Sequence, residues 1–131
     1  MQFPTTTAFL AAFFSVLMVA LSLLTSLRRA QLRVSYGDGN DETLRRRIRA
    51  HGNFVEYAPL AVVMVGLVEV SGATHVTAFA IALALGLARL MHAAGMLFTS
   101  RPALRAAAML LQHAAFLFAA IVLLRRVLYA A

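Results

Sequence analysis

Four long stretches of this chain are apolar, and the charged residues collect between them. Residues 5–27 run without a single charge, which as a helix is enough to cross the roughly 30 Å hydrocarbon layer of a bilayer. Further apolar runs cover 54–70, 74–97 and 103–124. The expected fold is an all-α integral membrane protein, a four-transmembrane-helix bundle forming one domain over residues 1–131. The first run is expected to be a span and not a cleaved leader, because no basic segment precedes it and it exceeds a normal leader's apolar core. The second helix is expected to start near Glu42, among charges, and to project about three turns beyond the bilayer before its span. Asp41 and Glu42 suit the positive end of its dipole. Ser71-Gly72-Ala73-Thr74 reads as a short turn joining the second and third helices into an antiparallel hairpin. Pro102 fits the first turn of the fourth helix, with Ser100 as its expected cap. Ala78, Ala82 and Gly86 recur every four residues, as close helix packing requires.

Composition removes the soluble alternative. A chain that is 62% hydrophobic, with mean hydropathy +0.82, has too little polar surface to cover itself in water. There is no cysteine, so no disulfide, thiolate nucleophile or cysteine-based metal site can form, and any sulfur chemistry must arrive with a ligand. No metal site is expected. All twelve basic residues are arginine, and the net charge of +7 lies mostly beside the spans, which points to orientation and contact with membrane lipids, with no nucleic acid as partner. Arg28, Arg29, Arg33, Arg45, Arg46, Arg47, Arg49, Arg101 and Arg105 share the side of the first and third connections, whereas the other side has only Arg125 and Arg126. The positive-inside rule then sends both chain ends away from the cytoplasm.

Polar chemistry enters the second span directly. Along Arg49-Ala-His51-Gly-Asn53-Phe-Val-Glu56-Tyr57-Ala-Pro59, the residues Arg49, Asn53, Glu56 and Leu60 fall within an arc of roughly 60° on a helix. Polar groups at such a depth face a bundle interior and mark a site. Arg89 and His92, one turn apart, lie near the same end of the third span, and Arg105 opens the fourth. Each has a plainer alternative: Arg89 paired with Glu56 as a structural ion pair, Arg105 snorkelling to headgroups, His92 as an interhelical hydrogen bond.

These motifs resemble those of MAPEG, the membrane-associated proteins in eicosanoid and glutathione metabolism. The resemblance covers nearly the whole chain and rests on Arg49-Ala50-His51-x-Asn53-x-x-Glu56-Tyr57-x-Pro59, on Ala88-Arg89-x-x-His92-x-x-Gly95, and on Arg101-Pro102-x-x-Arg105. It implies a homotrimer that binds glutathione as cosubstrate between subunits, near the cytosolic face. Carried over by position, Arg49, Asn53, Glu56, Tyr57 and His92 would hold the tripeptide, with Arg28 and His51 reaching in from the adjacent subunit. Arg105 matches the arginine that stabilises the glutathione thiolate, and Arg101 is its competitor if the register slips. The implied function is that of a membrane-embedded glutathione-dependent transferase or peroxidase acting on lipophilic electrophiles. Met96 stands where eicosanoid-forming synthases have a tyrosine, and Ala106 where prostaglandin-forming relatives have a serine. Eicosanoid synthesis is therefore not expected, and the chain looks more like the bacterial branch, placed in an inner membrane.

Two other classes stay open at this point. A non-catalytic scaffold, or degenerate family member, would use the polar residues only to lock helices. A small proton-coupled multidrug transporter would use Glu56 as its carrier, against which stand Arg49, Arg89 and Arg105, since they would repel cations.

Overall fold

The computed structural model describes residues 3–129. Four helices account for nearly all of them: α1 (Thr5–Leu32), α2 (Glu42–Val70), α3 (His75–Leu97) and α4 (Pro102–Tyr129). Each is long and apolar enough to cross a membrane. α3 is the central element and touches all three others, α2 touches both α1 and α4, and α1 and α4 do not meet.

Helix ends are fixed by side chains from nearby and from far along the chain. Asp41 caps α2, accepting the Leu44 N–H at 2.6 Å, and also receives Arg28 Nη2 at 2.7 Å. Thr74 caps α3 by accepting the Thr77 N–H at 3.2 Å. At the start of α4 the hydroxyl that takes a backbone N–H is that of Thr99, from Arg101 at 3.1 Å, and not the expected Ser100. The N-terminus of α1 is served from another helix. Glu69, in the last turn of α2, accepts the N–H groups of Thr6 and Thr7 at 2.9 and 2.8 Å and the Thr7 hydroxyl at 2.7 Å. An anion at a helix N-terminus satisfies orphan donors and opposes the dipole, and here it also ties α1 to α2.

The buried face of α2 is a stripe: Phe54, Ala58, Ala61, Val65 and Val68, spaced three and four apart as one face of a helix demands. Against it lie Phe14 of α1, whose ring meets Phe54 edge-on at 5.3 Å, and Ile81 and Leu85 of α3. The small residues of α3 admit α1: a Cβ on Gly86 would stand 3.6 Å from the Phe13 ring. Outward, the bundle shows Phe9, Val16, Leu110 and Leu117, an exterior suited to lipid.

Candidate functional site

At the end of the bundle that carries the 33–41 and 98–101 connections, α2, α3 and α4 part around a cleft of about 430 Å³. Arg49, Gly52, Asn53 and Glu56 supply its α2 wall, His92 and Met96 its α3 wall, and Arg105 its α4 wall. The α2 contribution follows from spacing, since positions three, four and seven apart share a helix face. Its volume lies within the range of small-molecule sites.

The charges in this cleft are unspent. Among the described residues the ion pairs are Arg28–Asp41, Arg45–Asp38, Arg45–Glu42 and Arg46–Glu42, all in or beside the first connection. Arg49 and Glu56 take part in none of them. Arg105 donates from Nη1 to the Met96 sulfur at 3.3 Å, a weak acceptor that leaves most of its donor fork available. Arg105 reaches this position because α3 is notched: a Cβ on Gly95 would come within 2.8 Å of Arg105 Cγ.

Behind the cleft wall lies a second arginine. Arg89 is 1% exposed. Its Nη1 donates to Asn53 Oδ1 at 2.7 Å, its Nη2 reaches the Met109 sulfur at 3.6 Å, and its guanidinium carbon sits 4.9 Å over the Tyr57 ring. The expected alternative of an Arg89–Glu56 ion pair is therefore not what forms. The reason is angular: Tyr57 and Glu56 point about 100° apart on α2, so Arg89 meets the Asn53–Tyr57 side while Glu56 faces the cleft. The contact has a consequence for Asn53. With its carbonyl oxygen held by Arg89, its amide nitrogen is the end left as a donor.

Of the residues singled out from the sequence, Arg49, Asn53, Glu56, His92 and Arg105 come together on one cleft. Tyr57 turns instead toward α4, against His113 and Phe116 at ring separations of 6.2 and 6.4 Å. Arg28 is engaged with Asp41, and His51 lies outside the cleft, its Nε2 buried without a partner. Of the two candidate arginines, Arg105 lines the cleft, whereas Arg101 is exposed and does not. Sequence reasoning gave no role to Gly95, Glu69 or the fully buried Gln112, whose amide atoms find no partner. For Glu69 the signal was present: a lone acid at the end of an apolar run needs donors.

The sequence model of the MAPEG family matches residues 7–125. The inner membrane protein YecN of Escherichia coli, in strains K12 and O6:H1 CFT073, is 38% identical over 85 residues. That alignment covers 65% of this chain and 65% of the relative, just under two thirds of YecN's length.

Proposed function

Because the chain belongs to the MAPEG family, we propose that it is a glutathione-dependent transferase or peroxidase of the bacterial inner membrane, acting on lipophilic electrophiles as a homotrimer. Its chain ends face away from the cytoplasm and the cleft opens toward it. The observation that carries this reading is the convergence of Arg49 and Glu56 of α2 with Arg105 of α4 on one cleft without pairing to each other. A scaffold that used these charges to lock helices would have spent them on one another. An inner-membrane location is supported by the name of the E. coli relative.

Glutathione has two carboxylates, an ammonium group and a thiol, and the cleft offers a complement to each. Arg49 suits a carboxylate through its planar donor fork, Glu56 the ammonium group, and the Asn53 amide nitrogen a carbonyl or carboxylate oxygen. Tyr57 and His92 support the α2 and α3 walls, and Arg28 and His51 complete the site from the adjacent subunit. Arg105 is left for the sulfur. A free thiol with pKa about 8.5 is only a few per cent ionised at neutral pH, and a guanidinium beside it favours the thiolate. The thiolate then attacks carbon in an electrophile, forming the C–S bond as the leaving group departs with its electron pair. With a hydroperoxide it attacks oxygen instead. The O–O bond breaks to a sulfenic acid and an alcohol once the alkoxide takes a proton, and a second glutathione gives the disulfide and water.

The direct test is glutathione binding by the purified protein in detergent, read with the ultraviolet absorbance of the thiolate. Binding at millimolar ligand, with thiolate present well below pH 8, is the expected result, and Arg105→Ala should return the thiol toward its free pKa. A fall from about 8.5 to about 6.5 would make this a loss of roughly twentyfold or more in thiolate at pH 7. Arg49→Ala should chiefly weaken affinity. No binding at millimolar glutathione would convert the reading to a scaffold, and parental conjugation of an aryl halide by both variants would overturn the roles.

A further inference from the structure

The remaining basic pair of the molecule lies at the opposite end from the cleft described above. Arg125 and Arg126, near the end of α4, wall a second cleft of about 420 Å³ together with Thr74 and Thr77 at the start of α3. Its deeper lining is apolar, with Phe118, Ile121 and Val122. Arg126 Nη2 donates to the Gly72 carbonyl at 2.7 Å, which sets the two arginines level with the tight turn between α2 and α3.

That level is the headgroup layer. α4 has 28 residues, about 42 Å of helix against roughly 30 Å of hydrocarbon, so its end projects beyond the acyl chains. Phe118 and Ile121 precede Arg125 by two turns and one turn, which puts them roughly 10 and 6 Å deeper. The cleft is thus cationic at headgroup height and apolar below, along one continuous wall. Among the described residues no acidic side chain pairs with it. The ion pairs of the described residues are all at the other end, and Glu69, the one acid near this end, is occupied with the N-terminus of α1. Arginine loops are also disfavoured on the side of the chain ends if the nine arginines opposite face the cytoplasm. A basic pair kept there, over an apolar trough, needs an anion that brings its own hydrocarbon.

We infer that this cleft binds an anionic phospholipid, its phosphate at Arg125 and Arg126 and one acyl chain along Phe118 and Ile121. Arg126 serves the turn as well as the ligand, whereas Arg125 has no hydrogen bond or ion pair among the described residues and is the free cation. A zwitterionic headgroup would bring its own ammonium group against the arginines and is disfavoured. The site stands apart from the glutathione reading and does not depend on it.

The chain has no tryptophan, so Phe118→Trp places its sole indole in the trough, excited selectively over the tyrosines at long wavelength. Leu117→Trp, 66% exposed and one residue round the helix, reports ordinary surrounding lipid. Both proteins are placed in phosphatidylcholine bilayers containing equal fractions of brominated phosphatidylglycerol or brominated phosphatidylcholine, and quenching is compared. The expected result is a local preference for phosphatidylglycerol of about fivefold at position 118 and none at 117. Adding Arg125→Gln should bring the preference at 118 close to one, with helix content by circular dichroism unchanged. Equal preference at the two positions, or a preference indifferent to Arg125→Gln, would overturn the proposal. Excess inorganic phosphate should leave the quenching ratio unaltered, and its abolition would show a soluble anion site in place of a lipid site.

Discussion

Arg105 crosses α3 at a point where only glycine leaves it room, and this makes Gly95 a positioning residue for the cleft. Gly95→Ala sets a methyl group 2.8 Å from Arg105 Cγ, closer than carbon atoms tolerate, so the arginine must swing. Overpacking of this kind costs about 1–3 kcal/mol when the neighbour is rigid and less when it is a side chain that can yield. The variant should therefore fold, with a melting temperature within a few degrees of the parent. Its defect should be in kcat toward an aryl halide, falling about tenfold or more if the guanidinium moves off the sulfur, while KM for glutathione stays within about twofold. A fall in affinity with kcat intact would assign Gly95 to tripeptide binding instead. The facing of Arg49, Asn53 and Glu56 was legible in the sequence because one helix carries all three and the 100° step fixes their common arc. Arg89 was not, since its partner depends on which side of α2 the third helix meets, and that is a property of packing.

At the scale of elements, two of the devices that join α1 to α2 are acids at helix N-termini. The first connection is closed by Asp41, which caps α2 and receives Arg28, while Asp38 receives Arg45 at 2.6 Å. The Arg28 guanidinium and the Leu44 N–H hold the Asp41 carboxyl below the usual carboxylate range, and the Arg45 guanidinium with the Asn40 N–H does the same for Asp38. A depressed folded-state pKa contributes stability above the unfolded value, near 4, that is lost as pH falls through the folded value. Hydrogen exchange in detergent should accordingly show the amides of 33–45 protected at pH 6 and more open near pH 3. Asp41→Asn should respond less to the same change, the remainder coming from Asp38, and the double variant Asp38→Asn with Asp41→Asn should be nearly insensitive. Exchange in this segment that is flat with pH in the parent would show that the ion pairs do not hold it. At the other end, Glu69→Gln replaces an oxygen by an amide that turns its own N–H against the α1 donors. A loss of about 1–2 kcal/mol, typical of a lost helix cap, should appear as a lower melting temperature in detergent. An unchanged transition would mean that lipid or water serves the end of α1 equally well. The capping role of Asp41 was readable from its place before a helix-forming run, whereas Glu69 acts 62 residues away along the chain on Thr7, beyond the reach of local patterning.

For the whole molecule, the four helices follow from hydropathy almost without further information, because a bilayer admits backbone only when its hydrogen bonds are internal. The assembly does not, for the reason that a surface facing lipid and one facing another subunit can be equally apolar, and large apolar side chains such as Phe9, Val16, Leu110 and Leu117 are exposed on this bundle. Orientation lies between the two. It rests on nine arginines at one end against two at the other, a bias that acts during insertion and leaves no trace in the packing. The absence of cysteine makes the measurement clean. Ser71→Cys lies in the α2–α3 turn and Ser35→Cys in the α1–α2 connection, at opposite ends of the bundle. In intact cells a membrane-impermeant maleimide should label Ser71→Cys fully within minutes, while Ser35→Cys should require lysis. The reverse pattern would turn the Arg49–Arg105 cleft away from the reducing, glutathione-rich cytosol and face the Arg125–Arg126 cleft toward the cytoplasmic leaflet. The enzyme reading would then lose its supply of cosubstrate, although the cleft geometry would be untouched. Equal labelling of both positions in intact cells would point to dual insertion, and half of the molecules would then be cut off from glutathione.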